Sequence, residues 1–248
     1  MLSYFLKLFD TEPLAPLSLE ALRADMHSHI LPGLDDGADC LEDSLELLRC
    51  MISLGYKKLI MTPHIMGDFY KNTPAGIFEK LVELRFAASE AGLEIELECA
   101  AEYYMDEWFV KKLEEGQPLL TFGDNYVLFE TSYLNEPLNL KEVVFMMQAA
   151  GYKPVLAHPE RYMYLFNRFN EVVRIQEMGV MLQMNLNSLT GYYSEAARKM
   201  AEKLVDHKLL SFVGTDVHSS RQVEALRKAQ TMPYLHKVME LSLLNNQL

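Results

Sequence analysis

The sequence predicts an α/β fold, a distorted TIM-like (β/α)7 barrel, and three observations carry that expectation. Seven short apolar runs alternate with amphipathic segments along residues 24–229. Such alternation needs crossover connections and therefore gives a parallel sheet. The chain has 248 residues, enough for one barrel domain. Side chains able to hold cations stand at the ends of strands one, two, three, five and seven, the face on which barrel enzymes keep their chemistry. An open doubly wound sheet shows the same alternation, but its crevice lies at a single switch point and does not gather so many separated strand ends.

Residues 24–30 read as strand one, followed by the Pro32-Gly33 turn and the polar loop Asp35-Asp36-Gly37. A helix over 42–54 stops at Gly55, since glycine accepts the left-handed C-cap. Strand two covers 57–62. Pro74 is pre-set for a first helical turn, and Phe78, Leu81, Val82 and Leu84 carry that helix towards Gly92. Strand three spans 94–102 and strand four 126–130. A helix over 140–150 closes at Gly151. Strand five is 154–157, followed by a helix over 172–178 and strand six over 180–185. A helix over 195–206, strand seven over 210–214 and a helix over 222–229 complete the repeat. The last apolar stretch, 235–244, reads as a docking helix.

Residues 24–248 form one domain on this reading, and residues 1–23 an N-terminal extension. The first eight residues are apolar but carry no basic segment ahead of a full hydrophobic region. An amphipathic arm docked on the domain is expected there, not a signal peptide. Half the residues are apolar (50%) and 23% charged, a globular balance. No apolar run reaches the ~18 residues of a membrane span. The net charge of −12 argues against a nucleic-acid surface, which needs clustered Lys and Arg. Cys40, Cys50 and Cys99 have no metal-type spacing and would leave one unpaired, so reduced, buried thiols in a cytoplasmic protein are expected.

Asp25-Met26-His27-Ser28-His29 and Thr215-Asp216-Val217-His218 place metal-type ligands on alternate residues. Side chains two apart on a strand share a face, so each pair can reach one point. His64, Glu102 and His158 lie between these segments, each at a strand end. Any one histidine reads equally well as a capped structural imidazole. The five sites together are hard to explain without a cation. Imidazole and carboxylate ligands suit Mn, Fe, Zn or Co, and no cysteine points to a thiolate zinc site. Glu102 has two oxygens and could bridge two ions, which would activate water and offset charge on a phosphoryl group.

The stretch Asp25-Met26-His27-Ser28-His29-Ile30-Leu31-Pro32-Gly33-Leu34-Asp35-Asp36-Gly37 is the longest of five motif segments. The others are Thr62-Pro63-His64, Ala101-Glu102-Tyr103-Tyr104, His158-Pro159-Glu160-Arg161-Tyr162 and Asp216-Val217-His218. Together, over most of residues 24–228, they resemble the PHP (polymerase and histidinol phosphatase) superfamily. Within it they resemble the bacterial capsule and exopolysaccharide protein-tyrosine phosphatases of the CpsB/YwqE type. The resemblance implies the PHP fold, a distorted barrel with seven strands. It implies His27, His29, Glu102 and Asp216 around one metal, with Glu102 shared. His64 and His218 with Asp36 would hold a second, and His158 with Glu102 a third. Asp36 is the expected ligand because it directly precedes Gly37, although the motif alone does not separate it from Asp35. Two or three divalent or trivalent ions are implied, Mn or Fe, with Zn or Co as alternatives. The implied substrate is phosphotyrosine in the tail of a bacterial tyrosine kinase that controls capsule or exopolysaccharide synthesis.

The expected chemistry is direct in-line attack of metal-bound hydroxide on phosphotyrosine, since none of the three cysteines begins a Cys-x5-Arg phosphate cradle. Arg161 is expected to clamp phosphate oxygens with its planar fork, against the plainer role of a salt bridge to Glu160 or another loop carboxylate. Arg221 is a second candidate clamp, against the plainer role of a surface helix-start arginine. A phenolate leaving group, with a reference pKa of about 10, needs little protonic help, and a metal-coordinated water or Asp36 could supply it. Tyr103, Tyr104, Tyr162, Tyr164, Tyr192 and Tyr193 could line an aromatic groove or simply pack. The alternatives are a small-molecule phosphatase such as histidinol phosphatase, with an enclosed pocket, and a non-enzymatic metal-stabilised binding module, with closed ligand shells.

Overall fold

Seven strand positions curl into a barrel in the computed structural model, which describes residues 14–248. The docked arm expected over residues 1–8 lies outside the described residues. The strands are β1 (Ala24–Asp25), β2 (Lys58–Met61), β3 (His64–Ile65), β4 (Glu96–Cys99), β5 (Glu102–Tyr104), β6 (Tyr126–Glu130), β7 (Lys153–Leu156), β8 (Met181–Asn185) and β9 (Phe212–Gly214). All their ladders are parallel, in the orders β1-β2-β4 and β3-β5-β6-β7-β8-β9.

Two predicted strands are each broken into two segments. Thr62-Pro63 separates β2 from β3, where proline has no N–H to give a ladder. Ala100-Ala101 separates β4 from β5. Backbone bonds carry the chain across these breaks: Thr62 N–H donates to Ser28 O (2.8 Å) and Ala100 N–H to Met61 O (2.8 Å). As a result His64 and Glu102 each begin a new ladder segment and stand in register with one another.

Strand one departs from the expected 24–30. Its ladder ends at Asp25, and Ser28 instead makes an isolated parallel bridge to Val217. Asp216 N–H donates to His27 O (2.7 Å) and His29 N–H to Val217 O (2.9 Å), so the first strand turns to meet the last. That bridge closes the barrel at its carboxyl end. Lower down a side chain closes it: buried Asn245 donates to Ala24 O (3.1 Å) and Val213 O (2.7 Å) and accepts from Val213 N–H (3.0 Å). This explains why the expected helix over 235–244 ends early. The helix stops at Met239, and Leu244 N–H then pairs with Ser211 O (2.9 Å), which carries Asn245 into the gap.

The outer helices are α1 (Leu41–Leu54), α2 (Pro74–Glu90), α3 (Glu107–Glu114), α4 (Leu140–Ala149), α5 (Phe169–Glu177), α6 (Glu195–Asp206), α7 (Ser220–Ala229) and α8 (Pro233–Met239). No helix among the described residues is long and apolar enough to cross a membrane. Only α3 was absent from the expected order. Asp106 caps it by accepting from Phe109 N–H (2.8 Å), and it buries just Phe109 and Leu113. Leu14 and Leu17, before β1, pair with the Thr231 and Gln230 backbones, so this segment packs beside the end of α7.

The large core lies between sheet and helices. A smaller cluster takes Met26, Ile60, Ala100, Leu128, Val155 and Phe212 from separate strand positions. Leu128 stands two residues before Glu130 on β6, so the two share a strand face. The cysteines are free, but only Cys99 is buried as expected. Cys40 is exposed because it sits at the N-cap of α1, with its thiol 3.2 Å from Asp43.

Candidate metal centre

Strand ends bring the chemistry-bearing residues to one place. His27 Nε2 lies 3.2 Å from Glu102 Oε2 and 3.4 Å from Asp216 Oδ1. His29 Nε2 is 3.4 and 3.5 Å from the same two oxygens. His64 Nδ1 is 3.2 Å from Glu102 Oε2, and His158 Nε2 is 3.1 Å from Glu102 Oε1. Asp36 Oδ1 sits 3.6 Å from His64 Nε2 and 3.5 Å from His218 Nε2. His27, His29, Glu102, His158 and Asp216 are almost wholly buried, whereas Asp36 faces solvent in part.

Four groups of ligand atoms, each within 4.8 Å, could hold an ion: His29, Asp36, His64 and His218; His27, His29 and Asp216; His27, Glu102 and His158; His64, Glu102 and Glu130. All eight expected ligands enter these groups. Glu130 is an addition, with its Oε1 3.2 Å from His64 Nδ1. It ends the apolar run Tyr126–Glu130 and follows buried Leu128 by two, a signal that its sequence position did carry.

Fixed hydrogen bonds aim the imidazoles. His27 Nδ1 pairs with Gln183 Oε1 (3.0 Å), His29 Nδ1 with Asp35 Oδ2 (2.7 Å), and His218 Nδ1 with Asp216 O (2.9 Å). Each bond occupies Nδ1 and leaves Nε2 for the centre. Asp35 also accepts the backbone N–H groups of Gly37 and His64 (3.0 and 2.9 Å). The two adjacent aspartates thus divide: Asp35 braces His29, and Asp36 points an oxygen at His64 and His218. Asp216 accepts from Asn185 Nδ2 and Arg161 Nη1, both at 2.6 Å. His158 and Asp216 hold left-handed backbone, φ 34° and 51°, a strain tolerated where surrounding bonds fix it.

Burial pushes the Glu102 carboxyl up, but the charges of His27 and His64 and a hydrogen bond with His158 overcome it and hold it well below the usual range. Burial likewise opposes ionisation of Asp216, and His27 and His29 outweigh it. Burial pulls His27 down, while Glu102 and Asp216 lift its pKa to about 9. Asp36 is lowered, chiefly by its hydrogen bond with His218, so it is an ionised oxygen donor with no proton to give a leaving group. Tyr133 is raised, first by burial and then by Glu130, and keeps its phenol proton.

The donor set fits divalent cations. His64 Nδ1, Glu102 Oε2 and Glu130 Oε2 are buried with no hydrogen-bond partner. Orphaned polar atoms cost stability unless something satisfies them, and three around one centre of nitrogen and oxygen ligands is the pattern of a cation site.

A cavity of about 400 Å³ opens above these residues, walled by Tyr70, Tyr104 and Tyr133 and by the 79% exposed Phe69. Arg161 lines it, its guanidinium 4.8 Å from the Tyr133 ring and 4.1 Å from Tyr193. Its salt bridge goes to Asp216, not Glu160, which is buried against Asn185 N–H and Ser188 Oγ. Arg221 is not among the cavity-lining residues. It is exposed in the first turn of α7, 6.0 Å from the Tyr192 ring. Of the tyrosines expected to line a groove, Tyr104 does. Tyr103 and Tyr162 are buried, accepting from Leu120 N–H and Thr131 N–H.

The profile of the family described as "Capsular polysaccharide synthesis, CpsB/CapC" matches residues 23–243. The chain is 29% identical over 195 residues to the tyrosine-protein phosphatase YwqE of Bacillus subtilis (strain 168), covering 79% of this chain and 77% of that one. It is 27% identical over 204 residues to the tyrosine-protein phosphatase CpsB of Streptococcus pneumoniae, covering 79% and 82%. A solved chain from the crystal structures of those two proteins, named there unique metal-dependent tyrosine phosphatases, superposes with TM-score 0.75 at 28% identity. It covers 90% of this chain and 94% of the solved one.

Proposed function

Since the chain belongs to the capsular polysaccharide synthesis CpsB/CapC family, we propose that it is a metal-dependent protein-tyrosine phosphatase. Its proposed substrate is a tyrosine-phosphorylated protein, the tail of a bacterial tyrosine kinase that controls capsule or exopolysaccharide synthesis. One observation carries this reading: the orphaned imidazole and carboxylate atoms gather at the floor of an aromatic-walled cavity beside a fixed arginine. The unpaired cysteines fit the reducing cytoplasm in which such a tail would be met.

His27, His29, Asp36, His64, Glu102, His158, Asp216 and His218 are the proposed ligands, with Glu130 added. Cations held there supply water activation and charge neutralisation; Mn or Fe is proposed, in two or three positions. Arg161 keeps one Nη1 on Asp216 and has further N–H groups for phosphate oxygens. Tyr133 and Tyr193, packed against its guanidinium, hold the fork in place. Tyr133 keeps an O–H that can donate to a phosphoryl or phenolic oxygen. Phe69, Tyr70 and Tyr104 offer ring faces to the phenyl group of the substrate.

The test is Mn-dependent phosphate release from a phosphotyrosine peptide, a phosphoserine peptide and histidinol phosphate, with His29→Ala as control. Selective phosphotyrosine turnover, lost in the variant, is expected. Preference for histidinol phosphate would move the substrate to a metabolite, and absence of turnover with metal bound would reject an enzyme altogether.

A further inference from the structure

A second cavity lies across the loop that borders the large one. That loop, residues 66–73, is held at several points. Met66 N–H donates to Tyr70 O (2.9 Å), and Gly67 N–H to Asp106 Oδ2 (2.8 Å). Asn72 Nδ2 donates to Leu34 O (2.9 Å) and His64 O (2.8 Å). Trp108, on α3, packs so closely on Gly67 that a Cβ there has no room. The loop is therefore a fixed partition, with the candidate metal centre on one side.

On the other side, Ile65, Met66, Trp108 and Phe109 give apolar walls and Lys71 and Lys112 the polar ones, around a space of about 90 Å³. Small-molecule pockets are roughly 300–1,000 Å³, and an engineered cavity that takes benzene is about 150 Å³. This space suits a single aliphatic side chain. Trp108 is 56% exposed, so its ring is open to a ligand that enters this space.

The charges narrow the occupant. Among the described residues neither Lys71 nor Lys112 has an ion-pair partner, and Lys112 Nζ is 3.2 Å from the neutral Gln117 side chain. The carboxylate in the cavity wall, Asp106, is already committed to the N–H groups of Phe109 and Gly67. In a chain of net charge −12, two uncompensated ammonium groups beside an apolar slot fit an acidic partner. Met66 and Asp106 line both cavities, so a polypeptide lying over the loop reaches from this cavity to the metal centre.

We propose that this cavity is a docking subsite for the substrate polypeptide. It takes one aliphatic side chain close in sequence to the phosphotyrosine, and Lys71 and Lys112 pair with an adjacent carboxylate. The proposal rests on the phosphatase reading above and goes beyond it by assigning sequence preference to α3 and the loop.

Trp108 is the only tryptophan of the chain, so its emission reports the cavity directly. The full chain loaded with Mn would be titrated with phosphotyrosyl peptides. Each carries one Leu, beside a Glu, at one of three positions on either side of the phosphotyrosine, with an Ala–Ser peptide as reference. At least one register is expected to shift Trp108 emission to shorter wavelength and to bind about tenfold tighter than the reference. In Lys71→Glu/Lys112→Glu, KM for that peptide should rise about tenfold relative to KM for p-nitrophenyl phosphate, which is too small to span the loop. Trp108→Ala should erase the Leu preference. No preferred register, or lysine reversals that act equally on both substrates, would overturn the proposal. If the wild type hydrolyses neither substrate, the phosphatase reading fails, while the Trp108 titration still decides whether the peptide docks.

Discussion

Gln183 shows how much of the centre rests on residues with no affinity for cations of their own. Its Oε1 takes the His27 Nδ1 proton and also the His158 backbone N–H, at 3.0 and 3.3 Å. Removing such a brace typically costs 10–100-fold in metal affinity, so Gln183→Leu should lose roughly that much in a chelator competition while Gln183→Glu keeps most of it. Equal affinity in both variants would show that His27 needs no brace. Protonation gives a second check. His27 sits at about 9 in the metal-free chain, so it carries a proton at neutral pH. Any cation that takes His27 must displace that proton. Burial pulls His29 down too, but Asp35, Asp216 and Glu102 outweigh it and leave His29 raised as well, hence affinity should rise as pH increases from neutral. Calorimetry in two buffers of different ionisation enthalpy should detect proton release at pH ~7.5. The sequence displayed the proposed ligands through alternation, as in His27 and His29. It hid Gln183, Asn185 and Tyr133, because a buried amide or phenol leaves no spacing signature and acquires its role only from a partner brought close by folding.

The elements divide in the same way. Helices with glycine or proline punctuation, such as α1 and α2, were legible almost to the residue. The strands that carry the site were not, since Pro63 and Ala100-Ala101 break two of them and Ser28 leaves the first ladder to meet Val217. Short α3 buries only Phe109 and Leu113; Asp106 as N-cap, with that i, i+4 pair, was its one sequence signal. The C-terminal helix is shorter than its apolar run suggests for a physical reason: the barrel needs Asn245 in the gap between β1 and β9. Asn245→Leu would leave the Val213 N–H and two carbonyls without partners and should cost about 1–3 kcal/mol in urea unfolding. A neutral result would mean that water or a shifted backbone closes the barrel instead.

For the whole molecule, the barrel and the centre depend on each other. Strands from both ends of the chain meet at His27, Val217 and Asp216, so a cation held there ties β1 to β9 as well as serving chemistry. Ligand bound only by the folded state stabilises it, by about 4 kcal/mol when its concentration is ~1,000-fold above Kd. Chelation should therefore lower the unfolding midpoint reversibly, and re-addition of Mn should restore it. An unchanged midpoint would separate folding from the centre. The barrel class and the mouth on which the chemistry sits were visible from alternation and the placing of His, Asp and Glu. Which carboxylate faces inward was not, because Asp35 and Asp36 differ only in how the loop turns them.

Locating the ions tests the central claim most directly. Crystals of the chain grown with Mn would be measured at the Mn absorption edge. Anomalous peaks are expected among His27, His29, Glu102 and Asp216 and among Asp36, His64 and His218, in protein whose phosphotyrosine turnover depends on Mn. Turnover without a peak at either position, or peaks confined to other surfaces, would contradict the account.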